Sequence, residues 1–180
     1  MTESVARMSH LVEQLLLLAR NEQAQPSEPI QLLDLAELSR QQLAAAATLA
    51  HSRHATLTLD APAPLQIQGQ PLALGTLLRN LLNNALLHNP PGTAVRVAVL
   101  CPSANSGPAW VVEDNGSGIP APERERVFDR FYRRGNSDSP GSGLGLAIVR
   151  AIAQQHGAQV LLQDSKMGGL RVCVQWPQTA

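Results

Sequence analysis

Apolar side chains recur by threes and fours over the longer stretches of this chain and by twos over several short ones, which separates helices from strands at the outset. Val5, Met8, Val12, Leu15 and Ala19 step along one helical face that Leu11 and Leu18 broaden. A helix of that length is marginal alone in water, so the stripe predicts a packing partner in this chain or in a second copy. Gln25 to Pro29 brings two prolines and a serine, a composition that ends helices. The boundary between a short helical stub, 1–26, and a second unit, 27–180, is placed there.

In the second unit Asp34 is a good N-cap for a helix through about Ala50, with Leu35, Leu38 and Leu43 supplying its buried face. Ala55 to Asp60 alternates Leu57 and Leu59 with threonines, as a half-buried strand does, before Pro62 and Pro64 interrupt it. Pro71 to His88 reads as the longest helix of this unit, stopped by Asn89, Pro90, Pro91 and Gly92. Strands are predicted at Ala94 to Leu100, Ala109 to Glu113, Gln159 to Gln163 and Leu170 to Trp176, with a helix from Gly143 to His156. Interleaved helices and antiparallel-looking strands predict a two-layer α/β (α+β) sandwich.

Bulk properties narrow the chemistry. The 180 residues suffice for one domain core and a small appendage. The 14 basic and 14 acidic side chains cancel, so no overall field draws the chain to nucleic acid or an anionic membrane, and any ligand must be recognised locally. Cys101 and Cys173 form no CxxC pair and have no matching histidines, which disfavours a zinc site and a disulfide framework and fits a reducing cytosol. The aliphatic run Leu15 to Ala19 falls far short of the roughly 20 residues a bilayer span needs, and the amino end does not read as a leader. A soluble, cytoplasmic chain that does not insert in a membrane is expected.

Four stretches carry candidate chemistry. Asn80, Asn84 and His88 recur every fourth residue on one face of a leucine-rich helix, and amide oxygens are hard ligands suited to Mg²⁺ beside nucleotide phosphates. Asp114-Asn115-Gly116-Ser117-Gly118-Ile119 follows the apolar run Trp110-Val111-Val112, placing a carboxylate at a strand end with glycines that let backbone approach a ligand. A buried Asp can accept the exocyclic amine proton of adenine. Gly141-Ser142-Gly143-Leu144-Gly145-Leu146 opens a helix whose free amides can cradle phosphate oxygens. It lacks the GK[ST] of a Walker loop, and Leu146 occupies the last glycine position of GxGxxG. Between them, Phe128 and Phe131 are expected to anchor Val127 to Arg134 on the core, leaving Arg130 and Arg133 to reach phosphates.

In this order and spacing the four stretches resemble the N, G1, F and G2 boxes of bacterial two-component sensor histidine kinases, within the wider GHKL (HATPase) group that includes gyrase, Hsp90 and MutL ATPases. The resemblance spans Ile30 to Trp176, and its wording, RNLLNNALLHNPPG, FDRFYRR and GSGLGLAIVRAIAQQHG, is similar to the QseC and PmrB group. It implies a Bergerat-type ATP-binding fold, a mixed sheet covered by helices, behind a stub that resembles the end of the second helix of a dimerisation domain. It also implies ATP and Mg²⁺ as cofactors, with Asn84 on the metal, Asn80 supporting phosphates and Asp114 holding adenine. Gly116, Gly118, Gly141, Gly143 and Gly145 would shape the pocket and its lid, with His88, Ile119, Ser142 and Leu144 alongside. Leu87 stands where many relatives place Lys or Arg, so Arg130 or Arg133 is expected to compensate.

The implied activity is transfer of the ATP γ-phosphoryl to a histidine on a helix absent from this chain, upstream of a response regulator. The acceptor motif, resembling HELRTPL, does not occur; His10 lies on the stub without that context, and His51, His54 and His156 read as surface or capping residues. The family's ATP hydrolases carry a water-activating Glu where this chain has Asn80, and an amide is no general base. A GHKL hydrolase, or a nucleotide-responsive module with decayed kinase chemistry, are the competing readings. The implied partners are the chain's own dimerisation domain and a response regulator, in an inner-membrane homodimeric parent that faces this module to the cytosol.

Overall fold

The structure, a computed structural model, describes residues 28–103, 106–133 and 142–178; the stub helix and Gly141 lie outside them. Seven strands, three α-helices and two short 3₁₀ turns follow in the order β1 Gln31–Asp34, α1 Leu35–Ser52, β2 Thr56–Asp60, β3 Gln66–Gly69, α2 Pro71–Leu87, β4 Ala94–Leu100, β5 Ala109–Asp114, the turns Ala121–Glu123 and Arg126–Phe128, α3 Gly145–Gln155, β6 Gln159–Asp164 and β7 Leu170–Gln175. A five-stranded sheet has the order β2-β4-β5-β7-β6. β2 runs parallel to β4 and every other neighbouring pair is antiparallel, so the sheet is mixed.

Strand alternation divides this sheet into two faces. Val95, Val97 and Val99 of β4, Trp110 and Val112 of β5 and Val172 and Val174 of β7 join leucines of α1 and α2 and Ile148 of α3 in the main core. The intervening positions Ala98, Ala109, Val111 and Cys173 form a separate small cluster. Helices therefore cover one face, and the expected two-layer sandwich is what forms.

Local chemistry sets the helix ends. Asp34 caps α1 by accepting from the Ala36 amide at 2.9 Å, and the same oxygen accepts from Leu65 at 3.0 Å. It thereby ties α1 to the two-stranded sheet in which β1 pairs antiparallel with β3, an element whose four-residue strands the sequence pattern did not reveal. Proline at the first position suits α2, whose first turn needs no amide there. Its preceding residue, Gln70, donates its amide to His156 Nε2 at 3.1 Å, so His156 links the end of α3 to the start of α2 as a capping residue. α3 begins two residues later than expected because Gly143 has φ +71°, outside the helical region. It ends at Gly157, whose φ of +67° suits a glycine stop.

Among the described residues no helix is long and apolar enough to cross a membrane.

Candidate nucleotide site

Asp114 ends β5 with its side chain only 4% exposed. Its Oδ1 accepts from the Gly116 amide at 2.9 Å and from the Leu170 amide at 3.2 Å. Oδ2 has no hydrogen-bond partner among the described residues. A carboxylate held through one oxygen and open at the other is a fixed acceptor, since the bound oxygen prevents the group from rotating away.

The loop after Asp114 is latched on both sides. Asn115 accepts from the Ala94 amide at 2.8 Å, which joins the loop to β4. The Ser117 amide donates to Asn89 Oδ1 at 3.3 Å, which joins it to the end of α2. A Cβ on Gly116 would lie 1.8 Å from that same Oδ1, so only glycine allows the two segments to meet. Ile119 packs partly buried on the main core, and its carbonyl accepts from Arg124 at 2.9 Å. Across from this loop lies Gly169, where a Cβ would come within 2.2 Å of Asp114 Oδ1. Gly118 backs onto the Gly169 carbonyl.

Asn80 and Asn84 are half-buried on α2. The Asn80 amide nitrogen donates to the Thr76 carbonyl at 2.8 Å, turning Oδ1 outward. That oxygen lies 3.4 Å from where a Cβ on Gly145 would stand, so it faces the start of α3. The Asn84 side chain has no hydrogen-bond partner among the described residues, which leaves its amide oxygen available. His88 is the C-cap of α2. Desolvation of its ring at the helix end, with the charge of Arg133, holds its pKa below the ordinary histidine value.

The third side comes from the segment around Phe128 and the start of α3. Phe128 is buried in the core; Arg150 of α3 stacks over its ring at 4.9 Å and donates to its carbonyl at 3.3 Å. Phe131 departs from expectation. It is 60% exposed and does not anchor on the core. Its backbone instead has φ +64° and its amide donates to the Gly143 carbonyl at 3.0 Å. Gly143 packs so tightly on it that a Cβ would lie 2.8 Å from the Phe131 carbonyl carbon. Ser142 Oγ accepts from the Leu144 amide at 3.2 Å. The Leu144 side chain is fully buried, so what it offers a ligand is backbone. Among the described residues no side chain caps α3, which leaves its first amides open to a ligand. Arg130 and Arg133 are exposed on the segment between.

Asp114 with Gly116, and Asn80 with Gly145, are thus drawn together pairwise, while His88 stands at the end of α2 and Gly143 just before α3. Asn89, Gly169 and Arg124 complete the arrangement, and sequence reasoning missed them. Asn89 reads from the sequence only as part of a helix stop, and Gly168-Gly169 carries no reading there. Among the described residues no three His, Cys, Asp or Glu side chains cluster as a metal site. A separate cavity of about 270 Å³, lined by Ser106, Gln159, Gln175 and Trp176 among others, lies at the opposite end of β5 and β7 and contains none of these residues.

The chain is similar to known proteins in sequence and in fold. Over 175 residues the chain is 36% identical to the sensor protein QseC of Escherichia coli K12, covering 96% of this chain and 37% of that protein, so it spans little more than a third of its relative's length. The cytoplasmic segment of histidine kinase QseC superimposes with a TM-score of 0.67 at 27% identity, covering 97% of this chain and 95% of that one. The ATP binding domain of PrrB from Mycobacterium tuberculosis gives 0.67 at 28% identity, covering 84% and 98%. Residues 69–180 match the family described as histidine kinase-, DNA gyrase B-, and HSP90-like ATPase, and the chain belongs to that family.

Proposed function

We propose that this chain is the ATP-binding catalytic domain of a sensor histidine kinase, with residues 1–26 the end of its dimerisation domain and 27–180 the catalytic unit. The observation that carries this reading is the Asp114 carboxylate, buried, pinned through Oδ1 and without a hydrogen-bond partner at Oδ2 among the described residues. Such an oxygen suits the amine of adenine and rejects the carbonyl that guanine presents there.

The donor set fits a magnesium nucleotide. Asn84 offers one hard oxygen with no competing partner among the described residues, and without an acidic cluster among them a cation would depend on phosphate oxygens and water for its other ligands. Mg²⁺, when bound, supplies neutralisation of phosphate charge. Asn80 Oδ1 stands between α2 and the phosphate-facing amides of α3. Arg133, exposed on the segment that precedes α3, would take the place of the basic residue that Leu87 does not provide.

Asn80 cannot accept a proton from water, so hydrolysis is slow and the γ-phosphoryl is kept for a better nucleophile. That nucleophile is an imidazole nitrogen on a helix outside this chain. It forms the new bond to γ-phosphorus as the bond to the ADP oxygen breaks. The phosphohistidine then passes its phosphoryl group to an aspartate of a response regulator. The parent is a homodimeric inner-membrane receptor with this module in the cytosol, and the module itself contacts neither nucleic acid nor bilayer.

Calorimetric titration of ATP with and without Mg²⁺ tests the reading. Binding should strengthen with the metal, and Asn84→Ala should remove that difference. No ATP binding under either condition would overturn it. Adding a fragment that bears the acceptor helix should yield labelled phosphohistidine, whereas steady phosphate release without label would favour a hydrolase.

A further inference from the structure

We propose that Arg53 and Asn89 act as positioning residues that hold the purine-binding loop in register with the phosphate-binding helix α2. This rests on the functional reading above, since it assigns purine recognition to Asp114 and phosphate recognition to Asn80 and Asn84.

A helix leaves its last four carbonyls without partners inside the helix. Arg53, just past the end of α1, reaches across to the C-terminal end of α2. Its Nε donates to the Leu86 carbonyl at 3.1 Å and its Nη2 to the Asn89 carbonyl at 2.7 Å. Its own carbonyl accepts from the Gly92 amide at 2.9 Å. One residue thus fixes both the last turn of α2 and the turn that follows it. The guanidinium also places positive charge at the negative end of the α2 dipole.

Asn89 carries that fixation into the site. It is 9% exposed, and its Nδ2 donates to the Ala85 carbonyl at 3.1 Å. Its Oδ1 accepts from the Ser117 amide at 3.3 Å. The neighbouring residue, Gly116, donates its own amide to Asp114 Oδ1. A continuous path therefore runs from Arg53 through the end of α2 and Asn89 to the Asp114 carboxylate. Asn84 lies one residue before Ala85, so the same amide touches the backbone beside the proposed metal ligand and the loop beside the proposed purine ligand. The side chain spans two elements that a bound nucleotide must also span.

A ligand that bridges both halves depends on their spacing, and a ligand that fills only one does not. Adenosine occupies the purine half alone, whereas Mg·ATP occupies both. Asn89→Ala in the full chain should weaken Mg·ATP about tenfold, the effect of one lost charge-free hydrogen-bond pair on a bridged geometry. Adenosine, followed by amide NMR shifts, should weaken by less than about threefold. Asn89→Asp retains the acceptor for Ser117 and should recover part of the Mg·ATP affinity, which also keeps the question readable if the alanine variant unfolds. Arg53→Lys keeps the charge but only one of two donors and should fall between.

Equal losses for both ligands, or no loss for either, would overturn the inference. Asp114→Asn is the control that separates it from the functional reading. If that substitution weakens adenosine and Asn89→Ala spares the ratio of the two ligands, the register claim fails alone. If Asp114→Asn changes nothing, the purine assignment fails with it.

Discussion

The two sides of the site are built in different ways. On the proposed purine side, Asp114 is 4% exposed and Asn89 is 9% exposed, and both are tied into the framework by hydrogen bonds. On the proposed phosphate side, Phe131 is 60% exposed, and Phe131 and Gly143 hold each other through backbone in the left-handed region. A residue other than glycine in that region is costly, and such strain persists only where neighbours enforce it. The contrast teaches that the proposed purine acceptor is prebuilt, while the proposed phosphate side stands on one strained residue, Phe131, in a segment rooted by Val127, Phe128 and Tyr132.

The largest expected effect tests that root. Phe128 is buried and stacked under Arg150, so Phe128→Ala should cost about 3–5 kcal/mol of stability, as for other large aromatic truncations. Phe131→Ala should stay within about 0.5 kcal/mol, as for exposed positions. Chemical denaturation of both variants measures this. Comparable losses would show that both rings anchor the segment and would erase the contrast.

On the purine side, Asp114→Asn keeps the shape but can place a donor where two backbone amides and an adenine amine also donate. A mispaired buried group costs about 1–3 kcal/mol, so nucleotide affinity should fall on the order of 10- to 100-fold. Unchanged calorimetric affinity would sink the adenine assignment.

How much of this was legible in the sequence follows from the range over which each residue acts. β4 was read with its bounds, Ala94–Leu100, and α2 to within one residue, because each buries its own periodic face. Asp34 was legible as a cap because it acts two residues away. β1 and β3 were not, since Gln31-Leu32-Leu33-Asp34 does not alternate and Gln66-Ile67-Gln68-Gly69 buries a single large side chain, and their pairing is visible only once Gln31 meets Gly69. Asn89 reads as a stop signal beside two prolines, and its task depends on Ser117, 28 positions away. Phe131 misled for the opposite reason. Its hydrophobicity points to the core, but the tight approach of Gly143 fixes the backbone and leaves the ring outside. Motif order carried the site because the four boxes are local signals, whereas the struts between them are tertiary.

A glycine substitution sharpens the contrast further. Alanine at Gly143 adds a Cβ 2.8 Å from the Phe131 carbonyl carbon and takes φ +71°. Backbone strain of that kind costs roughly 1–2 kcal/mol, and the start of α3 should shift with it. Mg·ATP affinity should drop while adenosine affinity holds, because only the phosphate half has moved. If adenosine weakens as well, the two sides are one unit and not two.

The smallest effect concerns His88, where the two sides meet at the end of α2. Its pKa lies below the ordinary value of 6.5 because the ring is desolvated and Arg133 repels its proton. Between that depressed value and 6.5 the unfolded chain binds more protons at this residue than the folded one. The stabilisation from keeping His88 neutral is therefore present above 6.5 and is lost as pH falls through that window. In an NMR titration of the imidazole, Arg133→Ala should move the midpoint upward by removing the repelling charge. Mg-free ATP should move it the same way, since triphosphate charge favours the imidazolium. A midpoint that answers to Arg133 but ignores nucleotide would take His88 out of the phosphate side and return it to the end of α2, where a capping role would be all that is left to it.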